Sequence, residues 1–136
     1  MNSINFNDPN FIKTDTYKEF INKNNSNGIL NIRAYAANAA IPISGLNVIV
    51  SKVLNNQKVI FFEGATDNSG IINQILLPTP SISDNNQEIP LSQDYDILAV
   101  YENQNLIFKV LMYSGIQVNQ NINIVPQMRL DGTYVR

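Results

Sequence analysis

The sequence contains no histidine, no cysteine and no tryptophan in 136 residues. Without imidazole, no side chain titrates near neutrality in its ordinary state, and the commonest general acid–base group and metal ligand are both missing. Without thiols there are no disulfides, no thiolate nucleophile and no thiolate ligation of metal or haem. Charge is scarce as well: Asp, Glu, Lys and Arg make up 15% of the chain, and 9 basic residues against 11 acidic ones leave a net −2. Nucleic acid and anionic membrane surfaces demand a concentrated basic stripe, and none is present, so neither is an expected partner. The apolar runs are too short to insert in a bilayer, and Met1 to Pro9 lacks the basic start and continuous apolar stretch of a secretory signal.

What is there suits one globular domain. The length fits a single core, and 44% apolar residues can supply it. Asn occurs 22 times and Ile 19 times, so uncharged amide outweighs charge on the polar side. The Asn residues fall in turns and flanks (Asn55, Asn56, Asn68, Asn85, Asn86, Asn103, Asn105) or at expected outward strand positions (Asn31, Asn47, Asn119, Asn121, Asn123). A surface of this kind repels its copies little and can hydrogen-bond across a contact.

The periodicity changes once along the chain. Residues 1–27 read as an arm: Thr14 offers an N-cap ahead of Asp15, and Tyr17, Phe20 and Ile21 follow at helical spacing, while Ile4, Phe6, Phe11 and Ile12 lie on extended chain. From Gly28 the period is two. Strands are expected at 29–35, 46–51, 58–65, 71–77, 95–101, 106–113 and 116–125, about seven at short spacing, the pattern of an antiparallel sandwich. Asp67-Asn68-Ser69-Gly70 is a structural turn, with Asp67 and Asn68 bonding local backbone and Gly70 at positive φ, and it makes 71–77 the hairpin partner of 58–65. A loop over 78–93 carries Pro78, Pro80 and Pro90. The domain is thus 28–128, followed by a tail at 129–136. Both faces of the 95–113 hairpin are apolar, and Leu98, Val100, Ile107 and Leu111 need a cover, from the arm or from another subunit.

Gly28-Ile29-Leu30-Asn31-Ile32-Arg33-Ala34-Tyr35, Ala40-Ile41-Pro42-Ile43-Ser44-Gly45-Leu46-Asn47-Val48-Ile49-Val50 and Ala65-Thr66-Asp67-Asn68-Ser69-Gly70 together resemble the carboxypeptidase-regulatory-like, transthyretin-like β-sandwich module. The version in spore-cortex and peptidoglycan-associated proteins of Gram-positive spore-formers is similar too, in that a Pro-rich loop and a tyrosine strand follow, as Leu76-Leu77-Pro78-Thr79-Pro80 and Tyr95-Asp96-Ile97 do here. The likeness runs from Gly28 to about Met128. It implies a seven-stranded all-β sandwich and a non-catalytic role. It also implies a chain made in the cytoplasm of a cell or mother cell and deposited on a spore or cell surface.

Catalytic and ligand-binding constellations are weak. Asp94, Asp96 and Glu102 sit at even spacing on one strand, but no second feature marks the cleft that a carboxylate pair needs. Asp67-Asn68-Ser69-Gly70 lacks the later acidic ligand of a calcium loop. Pilin and adhesin sandwiches that resemble this fold join a Lys to an Asn, and here Arg33 stands on the first strand, so that bond is not expected. Tyr35, Tyr95, Tyr101 and Tyr113 suit core and rim packing more than a sugar platform. The expectation is therefore no catalytic residue, no cofactor and no metal, hence no enzyme. A self-associating structural subunit of a spore layer or appendage is expected, contacting its copies through Phe6, Phe11, Tyr17, Phe20, Leu98, Val100, Ile107 and Leu111. The expected partners are a homo-oligomer or other structural proteins. The alternatives are an accessory module binding cell-wall glycan or protein, and a phage or contractile-injection structural protein.

Overall fold

A computed structural model describes residues 2–37, 40–81 and 91–125, together with a backbone pairing of 127–128 with 134–135. The chain opens with a short strand, β1 (Ser3–Asn5), and two helices, α1 (Pro9–Ile12) and α2 (Asp15–Lys23). The next strands are β2 (Ser26–Ala36), β3 (Ile41–Pro42), β4 (Asn47–Leu54), β5 (Gln57–Ala65) and β6 (Ile71–Thr79). β7 (Ser92–Tyr101), β8 (Gln104–Tyr113) and β9 (Gln117–Asn123) follow, with β10 (Gln127–Met128) and β11 (Tyr134–Val135) last. The seven long strands are those that alternation marks in the sequence. The 82–90 part of the proline-rich loop and most of the tail lie outside the described residues.

Two sheets form an all-β sandwich. One has the order β1-β5-β4-β7-β8. In the other β2 is central, with β9 on one side and β6 and the short β3 on the other, because Tyr35 pairs with both Asn123 and Pro42. Val48, Val50, Tyr95, Ile97, Ala99 and Met112 of the first sheet meet Leu30, Ile32, Ala34, Ile75, Leu77 and Ile122 of the second in one core. Alternation sets this arrangement, since Leu30, Ile32 and Ala34 of β2 and Val48 and Val50 of β4 point inward. The Tyr95 ring is fully buried and its hydroxyl donates to the carbonyl of Pro78, which satisfies the polar end of the largest core side chain.

The topology differs from an all-antiparallel arrangement in two places. β9 runs parallel to β2 along 29–35 and 117–123, and β1 runs parallel to β5. The turn at Asp67 is present as expected: its Oδ1 accepts from Ser69 and Ile71 at 2.9 and 3.0 Å, and Gly70 has φ +76°. The strand after it is not a hairpin partner of β5, however, but crosses to the other sheet and pairs with β2. Gly70 sits at the crossing: its carbonyl accepts from Ala34 at 2.7 Å, and its missing Cβ allows a close approach to the Ala34 carbonyl, where a methyl would sit 2.4 Å away.

Asn31 also departs from expectation. It is buried rather than exposed, and β6 carries an extra residue opposite it: Leu30 pairs with Ile75 and Ile32 with Ile72. Its Oδ1 takes the Gln74 N–H at 2.9 Å and its Nδ2 donates to Asn119 Oδ1 at 3.1 Å, so the side chain fills the gap that the bulge opens in the ladder.

Candidate functional site

The arm decides which apolar surface is left over. Asp8 caps α1, a helix where the sequence suggested extended chain, with its carboxylate accepting from the Asn10 N–H at 2.8 Å. Thr14 caps α2, accepting from Tyr17 N–H at 3.2 Å, as its position ahead of the helical spacing implied. At the other end Asn24 is buried and closes the helix: its Nδ2 donates to the Phe20 carbonyl, and its Oδ1 accepts from Gln93 of β7, both at 2.9 Å. That last bond ties α2 to the sandwich.

The arm's aromatic side chains turn inward. Phe6 stacks on Phe61 at 4.5 Å between ring centres, Phe20 lies 5.6 Å from Phe61, and Phe61 meets Tyr95 edge-on at 5.0 Å. Tyr17 fills the space beside Phe6 and Phe11 at 5.1 and 5.8 Å. Phe61 reaches this cluster because it is the extra residue of a bulge in β5, between the pairs Val50–Phe62 and Ser51–Ile60. Of Phe6, Phe11, Tyr17 and Phe20, expected on the sequence to meet another subunit, Phe11 and Phe20 are buried in the chain's own fold and so leave the contact set, while Phe6 and Tyr17 are half-buried in the same aromatic cluster.

The outer face of the β7–β8 hairpin receives no such cover among the described residues. In register, Glu63, Ile49, Leu98 and Ile107 form one line across β5, β4, β7 and β8, and Asn47, Val100 and Asn105 form the next. Ile107 is 79% exposed and Leu111 51%, while Leu98, Val100 and Ile49 are half-buried by their neighbours in the sheet. All four expected hairpin residues thus share one face, which Ile49 extends, a residue that sequence reading did not single out. Its place on β4 opposite Leu98 was a matter of pairing and could not be read from alternation alone.

The charges on this face are matched internally. Lys52 Nζ donates to Asp94 Oδ1 at 2.9 Å and to the Asp94 carbonyl at 2.8 Å, and Lys109 Nζ lies 3.2 Å from Asp94 Oδ2 and 3.4 Å from Asp96. The hydrogen bond from Lys52, foremost, holds the Asp94 carboxyl below its ordinary 3.8 against the opposing effect of partial burial. Lys109 is held above its usual range by its bond to Asp94 and the charge of Asp96. Glu102 stands apart in the turn with φ 51°. Burial, with the Asp94 charge beside it, raises the Tyr95 phenol far above its normal range. Tyr35 lies half-buried on β2, and Tyr101 and Tyr113 lie half-buried at opposite ends of the β7–β8 ladder. Among the described residues no group of three or more acidic side chains converges as a metal site. A shallow groove at the β1–β5 edge is lined by Asn5, Phe6, Asn7, Ile60, Phe61, Phe62 and Glu63.

No family model matches the chain, and no curated protein matches it in sequence. Solved structures do. The chain is similar to the 5-hydroxyisourate hydrolase of Klebsiella pneumoniae, at 12% identity over 80% of this chain and 97% of that one, with a TM-score of 0.49. It is also similar to the Bacillus anthracis TIE protein, at 15% identity over 82% of this chain, with a TM-score of 0.52. The chain matches 24% of the TIE protein's length. At these identities the likeness concerns the fold alone, a β-sandwich. The first of these proteins is by name an enzyme, and on that finding the expectation that this chain is not one is withdrawn.

Proposed function

We propose that the chain is a structural building block whose copies associate through the outer face of the β7–β8 hairpin, within a spore surface layer or appendage. The observation that carries this reading is the apolar line Ile49–Leu98–Ile107, with exposed Leu111 on the same face, on a sheet whose own arm packs elsewhere. Exposed apolar rows flanked by polar residues favour burial against a partner. Lys52 and Lys109 balance Asp94 and Asp96 on the spot, so a second copy meets little uncompensated charge. The spore setting rests on the resemblance of the Gly28 to Met128 stretch to modules of spore-formers, with a fold likeness to a Bacillus anthracis protein beside it.

Sedimentation velocity on the full chain tests the reading. The sedimentation coefficient should rise with protein concentration, and the pair of substitutions Ile107→Lys and Leu111→Lys should weaken association by at least about tenfold, or roughly 1.4 kcal/mol. Both side chains are exposed, so the double variant should keep the wild-type unfolding midpoint within a few degrees. A monomer at every concentration contradicts the proposal.

A further inference from the structure

We propose that the open edge of β5 beyond Ile60 takes an extended peptide of a partner protein as an added antiparallel strand, with a basic residue opposite Glu63 between two apolar ones. The site lies apart from the β7–β8 hairpin and does not depend on the self-association reading.

β1 covers only the start of β5. It pairs over 58–60, and its last bond to that strand runs from the Phe6 N–H to the Ile60 carbonyl at 2.8 Å. The chain then turns away, with the Asp8 N–H on the Asn5 carbonyl, and enters α1. β5 continues to Ala65, and among the described residues 62–65 pair with β4 alone. Every second residue of an edge strand directs its N–H and carbonyl outward, so this stretch offers main-chain bonds to another strand. Extended peptides dock on such edges, with the main chain giving affinity and alternate side chains giving specificity.

The fork between the departing arm and β5 adds a groove of about 280 Å³, rimmed by Asn5 and Asn7 and floored in part by Phe62. Both amides are exposed, and neither side chain bonds another described residue. On the inner face Phe62 lies opposite Val50 and Gly64 opposite Val48. The Phe62 ring lies across Gly64, where a Cβ would sit 2.7 Å from its Cζ, so an incoming residue on this face meets an aromatic surface. β-Branched side chains pair well with such a ring. On the outer face Glu63 is exposed, and among the described residues no cation lies within ion-pair distance of it, unlike Asp94 and Asp96. An opposite charge directly across the strands is favourable and a like charge is not. The edge therefore selects an apolar–basic–apolar segment. β8 of a second copy carries Phe108-Lys109-Val110, but Lys109 is already held by Asp94 and Asp96 of its own fold. A peptide with a free cation fits the edge better.

The test is a titration of the isotope-labelled full chain with a capped peptide carrying Val-Lys-Val in a threonine frame, read by backbone amide shifts. The peptide should shift the amides of 5–7 and 60–65 and leave those of 104–113 unmoved. Glu63→Lys, at an exposed position, should keep the wild-type unfolding midpoint, weaken binding at least about threefold and reverse the preference toward a Val-Glu-Val peptide. Methylating the peptide nitrogens on the edge that meets β5 keeps the charge and should abolish the shifts, whereas methylating the opposite edge should not. No shift at 60–65, or shifts indifferent to Glu63→Lys and to both methylation patterns, overturns the proposal. So does a shift of 60–65 together with 104–113 that grows with protein concentration in the absence of peptide, because β8 of a second copy then fills the edge.

Discussion

Asp94 holds the densest set of polar contacts on the outer face, with two lysines on its carboxylate and one of them also on its carbonyl. The folded state binds the Asp94 proton more weakly than the unfolded chain does, since the carboxyl is held below 3.8. The resulting stabilisation is complete above the unfolded value and is lost as the pH falls below about 4 through the folded one. Water reaches the carboxylate, which is 41% exposed, so the contribution of its pair with Lys52 belongs in the range of exposed pairs, about 0.2–1 kcal/mol. Urea unfolding of Asp94→Asn should therefore show a shallower loss of stability between neutrality and pH about 3 than wild type does. Identical acid limbs for the two proteins would remove Asp94 from the account.

The arm belongs to the fold at the level of elements. Phe20 is 7% exposed and packs against Phe6 and Phe61, so Phe20→Ala should cost about 3–5 kcal/mol in chemical denaturation. A chain starting at Gly28 would lose the Asn24–Gln93 bond and expose Phe61 and Tyr95, and it should lack a cooperative transition. A neutral Phe20→Ala would mean that the arm merely rests on the surface. α2 was legible in the sequence because capping and apolar spacing are local, and so were the seven long strands. The docking of the arm was not, since the pocket for Phe6 and Phe20 depends on Phe61, which a bulge turns toward them. Parallel β9 was equally hidden, because alternation looks the same in either strand direction. Asp67 and Gly70 marked a turn, but the strand after it pairs with β2 in the other sheet, a pairing that turn chemistry alone does not encode. On the candidate surface, two-sided apolarity of the hairpin pointed to Leu98, Val100, Ile107 and Leu111, whereas the packing of Phe20 rested on Phe61, far away in sequence.

For the molecule as a whole, the sandwich closes its core with its own arm and leaves one sheet with an apolar outer line and, among the described residues, a long edge strand paired on one side. Low net charge and abundant amide lower the cost of bringing copies together. Asn47, Asn119, Asn121 and Asn123 are outward, and Asn31 is the exception that serves the fold. The central claim is that association uses β7 and β8 while the arm stays on its own domain. Hydrogen exchange of the full chain at low and high protein concentration tests it most directly. Amides of 104–113 should gain protection at high concentration, with those of 3–23 unchanged; protection that changes in the arm instead, or nowhere, would contradict the claim.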